Sequence, residues 1–430
     1  MHPTTSRAAT TGTTLALVLG LAACTGVPAG GGEEGEAAGD GTTVRYLVEE
    51  LEDATAQDLL RTRLDVFEEE NPGITVELET LPFDTMRTVL QTQLRSGDAP
   101  DVFNWGSGPS FGGALAEAGL VMDLGPAYEE NGWEIYDFAK ERVTQDGVVY
   151  GIPGEMETIG VYYNKDLFAE LGIEEPTDLA GLEAAAQTVK DAGLIPFAVS
   201  DQEGWQGGHL LSMALSSRVG AEQMQQLVSG EGDWSSPEVV ESLALWDRFE
   251  EQGFLTPFPT SVTYDSGNAL FFSGEAAMVP TGSWLVDGIA VNADFEAGYI
   301  PFPSQDGEGV FSGGLGSGPM VSATTENEEA AVALVDFLAS PEHGRWMVEN
   351  LDVIPPFPVD TEGVDVTPLF AQVLEDVEVF AEGGSELGTN IDVLMPDEFN
   401  AAMSDGVQAL FSDQSTPEEV AASLQEAAAR

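Results

Sequence analysis

Thr43-Val44-Arg45-Tyr46-Leu47-Val48, Ile74-Thr75-Val76-Glu77-Leu78 and Asp101-Val102-Phe103-Asn104-Trp105 are three short runs rich in β-branched and aromatic residues, the composition of buried strands. Between the first two, from Ala54 to Glu70, the apolar residues Leu59, Leu60, Leu64, Val66 and Phe67 recur at helical spacing and stop at Asn71-Pro72-Gly73, a strong breaker. A second helix is expected from Asp84 to Ser96, ended by Gly97-Asp98-Ala99-Pro100. Strand–helix–strand–helix–strand in this order predicts an α/β layer built on a parallel sheet.

Beyond Asp146-Gly147-Val148-Val149-Tyr150-Gly151-Ile152-Pro153 a second unit begins. It is expected to hold a strand at Thr158 to Tyr163, a helix near Leu179 to Ala192 and a strand at Ile195 to Val199. Three helical stretches follow: His209 to Val219, Ala221 to Leu227 and Pro237 to Gln252. Strand character returns at Ala276 to Val279 and Gly298 to Pro301. Gly313 to Gly318 reads as a Gly-rich turn before a strand at Met320 to Ser322 and a helix at Glu326 to Leu338. No internal repeat is visible.

The chain has 430 residues, enough for two domains rather than one small core. Its single cysteine, Cys24, excludes an internal disulfide, and three histidines leave no zinc cluster, so no metal or cofactor is expected. The net charge is −61, from 75 acidic and 14 basic residues. With 43% hydrophobic residues in regular amphipathic segments this is a folded chain with a carboxylate-covered surface, of the kind found in salt-tolerant proteins. The same charge argues against nucleic acid and anionic lipid surfaces as partners. Leu21-Ala22-Ala23-Cys24 follows an apolar run, Leu15 to Ala23, that is too short to span a bilayer, with Arg7 near its start. The small–small–Cys ending resembles the bacterial lipobox, which implies a lipid anchor on Cys24; plain secretion is the other reading. Residues 1–23 are then a lipoprotein signal and 24–42 a flexible acidic, Gly-rich tether.

From Thr43 onward the chain resembles the family 1 extracellular solute-binding proteins of ABC importers. Gly97-Asp98-Ala99-Pro100-Asp101-Val102 is similar to the family's Gly-x-x-Pro-Asp turn. Asp146 to Pro153 followed by Tyr162-Tyr163-Asn164-Lys165-Asp166-Leu167-Phe168 is the most specific stretch. Phe272-Ser273-Gly274-Glu275-Ala276-Ala277-Met278 with Gly282-Ser283-Trp284 is the next, and Glu328-Ala330-Ala331 with Phe337-Leu338 and Ser340-Pro341-Glu342 the last. The resemblance implies a two-lobed α/β fold of periplasmic-binding-protein type, each lobe a mixed, mostly parallel sheet flanked by helices, with the ligand in the cleft between them. Lobe I is expected to comprise 43–154 plus 298–346, and lobe II 155–297 plus 347–430. It further implies a monomeric receptor, not an enzyme, on the extracytoplasmic face of the cell membrane. Its partners would be a sugar and the transmembrane subunits of an ABC permease, and the membrane would be reached through the lipid anchor only.

A sugar needs aromatic rings for its C–H-rich faces and acceptors and donors for its hydroxyls. Trp105, Trp205 and Trp284 stand at loop positions beside glycine, serine and acids. Trp105 ends a strand, with Asn104 beside it; the family often has a ligand-touching aromatic there, and Trp284 matches its Gly-x-Trp platform. The resemblance likewise carries a ligand contact to Glu157, to Asp201 and Glu203 near Trp205, to Glu50 in the loop after the first strand, and to the late acid Asp392. Glu155 lies two residues before Glu157 in an extended segment, so both project to one side. Gly313-Gly314 would let backbone N–H groups approach a ligand. After Trp105 the charged pair of maltose-type relatives is missing, and Phe399-Asn400-Ala401-Ala402 offers one aromatic in place of a platform, which argues against maltodextrins in particular. Two alternatives stay open: a non-sugar solute such as a polyamine, peptide or osmolyte, and a glycosidase using paired carboxylates. No histidine has a recognisable partner in the sequence.

Overall fold

The structure, a computed structural model, describes residues 41–50, 54–307, 309–381 and 388–429. Its strands are, in chain order, β1 (Thr42–Glu49), β2 (Ile74–Leu81) and β3 (Val102–Trp105). The short hairpin β4 (Thr144–Gln145) and β5 (Val148–Val149) precedes β6 (Met156–Asn164) and β7 (Ile195–Phe197). After these come β8 (Ala276–Gly282), β9 (Ala297–Ile300), β10 (Ser312–Leu315), β11 (Gly318–Val321) and β12 (Gly388–Thr389).

The first sheet has the order β11-β3-β1-β2. β1 runs parallel to β2 from Thr42↔Ile74 to Glu49↔Leu81 and parallel to β3 at Tyr46↔Val102. The helices Ala54–Glu70 and Phe83–Ser96 bury Leu60, Leu64 and Phe67, and Met86, Leu90 and Leu94, in the same core as Val44, Val76 and Phe103 of the sheet. β11 returns late in the chain and joins β3 antiparallel.

In the second sheet β12-β10-β6-β8-β7 are neighbours, and β9 also pairs with β6. β6 is its axis, buried almost throughout, and pairs antiparallel with β8, β9 and β10. Among the described residues only β7–β8 and β10–β12 are parallel there. The first sheet thus keeps the parallel pattern expected of it, whereas antiparallel pairs lead in the second. β9 and β10 lie in the second sheet, and β11 pairs back with the first. Helix Pro341–Leu351 contributes Val348 to the core that contains the first sheet.

Two expectations change in detail. Ser312–Leu315 is a strand, not a turn. The helical stretches expected to either side of Gly220 form one run, Gln206–Val228, interrupted at Gly220, where φ is 75° and ψ 172°.

The chain passes between the sheets side by side. Ile152 N donates to Pro319 O (3.0 Å), Gly316 N to Glu155 O (2.9 Å) and Met156 N to Ile354 O (2.7 Å). A Cβ on Gly154 would stand 1.6 Å from Ser317 O, so this close approach requires glycine. Three passages of chain therefore meet where one sheet gives way to the other.

Candidate functional site

The ends of β6, β8 and β10 face this junction. β8 runs out at Gly282, and Trp284 follows in a short helical turn, Ser283–Leu285. Its ring lies so close to Gly282 that a Cβ there would be 1.9 Å away. Trp284 Nε1 donates to Tyr264 Oη (2.8 Å), which lies 2.9 Å from Thr281 Oγ1. Tyr264 opens the helix Tyr264–Phe272, whose N-cap is Thr263. Its ring lies 4.7 Å from that of Trp205, and His209 stands between the two tryptophans, 5.0 Å from Trp205 and 5.4 Å from Trp284. Trp205, Tyr264 and Trp284 are all partly exposed, so aromatic surface remains open to solvent.

Carboxylates border this aromatic group. His209 Nε2 is 3.3 Å from Asp392 Oδ2 and 3.4 Å from Asn390 Nδ2. Asn390 and Glu157 flank Gly314: a Cβ on Gly314 would lie 3.4 Å from Glu157 Oε2 and 3.6 Å from Asn390 Cβ. A Cβ on Gly316 would lie 2.3 Å from Glu157 Oε1 and 2.6 Å from Glu155 Oε1. Gly316, in the turn after β10, is thus the space that the two carboxylates occupy, while Gly314 in the strand is in ordinary contact with Glu157. Burial pushes Glu155 up to about 7, opposed by its hydrogen bond with Glu157. Burial and then the charges of Glu155, Asp392 and Glu49 push Glu157 well above the ordinary carboxylate range.

Of the residues singled out from sequence, the fold gathers Trp205, Trp284, Glu157, Asp392 and Gly314 into this one cluster. Glu203 stands at its edge, where its Oε2 accepts from Tyr264 N (3.2 Å). Asp201 is fully buried and accepts from Gly207 N (2.8 Å) at the start of the helix Gln206–Val228; burial raises it to about 7. Trp105 lies in a separate aromatic group with Phe83 (5.9 Å) and Phe111 (5.8 Å). Asn104 Oδ1 accepts from Tyr46 Oη (2.8 Å), fixing β3 to β1. Glu50 is exposed and continues the β1–β2 pairing through its N–H to Leu81 O; its neighbour Glu49 is the one that acts on Glu157. Cys24 lies outside the described residues.

Sequence reasoning missed His209, Tyr264 and Asn390, and the Asp392 contact corrects the statement that no histidine has a partner. His209 lies four residues after Trp205, so one helix face presents both. Asn390 precedes Asp392 by two, at the exit of β12. The loop after Trp105 reaches the same region: Ser110 Oγ accepts from Asn400 Nδ2 (2.9 Å), and Asn400 Nδ2 also donates to Asp392 O (2.6 Å). Phe399 is buried against Trp234 (4.6 Å) and offers no platform. A groove of about 430 Å³ between helices Asp397–Leu410 and Pro417–Ala428 has no aromatic lining, so it lacks the surface that the junction has. Among the described residues no helix is long and apolar enough to cross a membrane.

Residues 41–345 match the model of a family described as bacterial extracellular solute-binding protein. The chain is 28% identical over 343 residues to the multiple sugar-binding protein of Streptococcus mutans serotype c, with 77% of each chain covered. It is 26% identical over 353 residues to the galactooligosaccharide-binding protein of Bacillus subtilis, covering 79% of this chain and 78% of that one. Among solved structures, a chitin oligosaccharide binding protein superimposes with a TM-score of 0.78 at 24% identity, covering 91% of this chain and 99% of the other, a likeness of fold.

Proposed function

The chain belongs to the bacterial extracellular solute-binding proteins, and from that premise we propose that it is the receptor of an ABC importer, capturing a sugar between its lobes and presenting it to a membrane permease. The observation that carries the sugar is the continuity of Trp205, Tyr264 and Trp284 with Asp392 and Glu157. Partly exposed rings cover the C–H faces of a pyranose, and the carboxylates accept its hydroxyls. A hydroxyl left unpaired there costs about 1–3 kcal/mol, which is how such a cleft selects. The names of the relatives, sugar and galactooligosaccharide binders among them, support the same class.

Glu155 lies in one passage between the sheets, and its carbonyl is bonded to Gly316 in another. A ligand held by Glu157 and Glu155 therefore touches the hinge itself. Closure follows if the closed state offers the sugar contacts that the open state lacks. No step requires turnover, and the carboxylates act as hydrogen-bond partners. The protein works as a monomer, held at the outer face of the membrane by lipid on Cys24.

Calorimetry with a panel of neutral mono- and oligosaccharides tests the sugar reading. At least one should bind, and Trp284→Ala should weaken it about tenfold or more while the unliganded fold melts as before. Binding unchanged by that substitution would remove Trp284 from the cleft. For the anchor, Cys24→Ala should move the protein from the membrane fraction to the medium; retention at the membrane would refute it.

A further inference from the structure

The side-chain cluster at the junction is rich in acidic groups. The carboxylates of Glu155 and Glu157 converge beside Gly316, and the charges that act most strongly on Glu157 come from Glu155, Asp392 and Glu49, all of them negative. Among the described residues, no lysine or arginine pairs with Glu155, Glu157 or Asp392.

A second and independent observation comes from His209. Its side chain is only 6% exposed and is packed between Trp205 and Trp284. Nε2 faces the Asp392 carboxylate at 3.3 Å. Nδ1 is buried and without a hydrogen-bond partner, and so is Asp392 Oδ1. No group of three histidine, cysteine or acidic side chains among the described residues is arranged to hold a metal ion, so the missing partners are not a metal's place.

A hydroxyl donates once and keeps lone pairs that would face carboxylate oxygens, whereas an ammonium donates three times and accepts nothing. Aromatic faces beside the acids add a cation–π attraction. Resting on the sugar reading above, we propose that the cleft takes a saccharide bearing a free protonated amine, an amino sugar, with its ring against Trp205 and Trp284 and its ammonium among Glu155, Glu157 and Asp392. The charged and titratable groups around that ammonium are Glu49 from β1, Glu155 and Glu157 before and in β6, Asp392 after β12, and His209 from the helix Gln206–Val228. Beyond these, Asp201 feels the charges of His209 and Glu203. With Glu155 held up to about 7 and Glu157 above the ordinary range, an arriving ammonium displaces a proton near neutral pH.

The test is calorimetry of the full-length protein with glucosamine, galactosamine and their β-1,4 oligomers, each beside its N-acetylated and its neutral hydroxyl counterpart. In at least one set the free amine should bind about tenfold tighter than both counterparts. Proton release should appear as a dependence of the heat on buffer at pH 7, and affinity should fall as the pH is lowered below 7. Glu157→Gln should abolish the amine's advantage, so that in this variant the amine binds no tighter than its neutral counterpart; Glu155→Gln is the second variant should the first not fold. A neutral or acetylated member binding as tightly as its amine in every set that binds overturns the inference and leaves the sugar reading standing. Absence of binding by every amine in the panel overturns it as well. Binding of spermidine with no sugar bound at all ends both.

Discussion

Gly316 is where sequence and site meet at the smallest scale. A methyl group there would stand 2.3 Å from Glu157 Oε1, whereas one at Gly314 would stand 3.4 Å from Glu157 Oε2, an ordinary contact. Gly316→Ala must displace a carboxylate that Gly314→Ala can leave in place. Displacement removes hydrogen bonds to a charged group, about 1.5–3 kcal/mol, so Gly316→Ala should weaken sugar binding by about ten- to a hundredfold and Gly314→Ala by far less. Calorimetry on the two variants decides it; equal effects would mean that Glu157 is not held as described. Trp205, Trp284, Glu157 and Asp392 could be singled out because each stands beside breakers or acids in a recognisable order. His209 could not: it sits in an apolar helical pattern, and its bond to Asp392 joins positions far apart in the chain. Tyr264 enters the cluster through Trp284 and Trp205, again a product of tertiary contact.

At the scale of elements, periodicity carried most of the reading. The helices Ala54–Glu70 and Pro237–Glu251 begin and end within a residue or so of their expected bounds, because breakers and caps flank them; Ser236 caps the second through Val239 N. Gly220 was legible as a break but not as an interruption inside one helical run, since its backbone lies in a region open only to glycine and neighbouring residues resume the helix at once. β10 was misread because its glycines look like a turn. What makes it a strand is pairing with β6 at Ser312↔Ile159 through Leu315↔Met156. That pairing is not visible within ten residues of sequence. The second sheet's antiparallel pairs have the same origin, because partners far along the chain choose their direction by packing.

For the whole molecule, acid dominates. Asp201 and Glu155 each have a folded pKa near 7, above the ordinary carboxyl value. Between that ordinary value and about 7 the folded state binds more protons than the unfolded chain, so stability falls as the pH rises through this window. Below it the advantage is whole, and above about 7 it is gone. The loss for such buried acids is on the order of a few kcal/mol. Repulsion across a surface with net charge −61 acts in the same direction but is screened by salt. Denaturant midpoints of the unliganded protein should drop from pH 5.5 to pH 8. Molar salt should raise them all and shrink the drop without erasing it. A profile that is flat or rising with pH would contradict the burial of these acids. The position of β11 has a further consequence, for the order of assembly. Its partner β3 is laid down early in synthesis, while β11 lies beyond nearly the whole second sheet. Until Val321 has emerged, one edge of β3 stays open and unpaired, the kind of edge along which chains aggregate. Closing it means joining strands across a very long loop, a slow step by topology. The nascent chain must therefore wait with its first sheet unfinished, and the dense negative charge that costs stability in the finished protein keeps neighbouring copies apart during that wait.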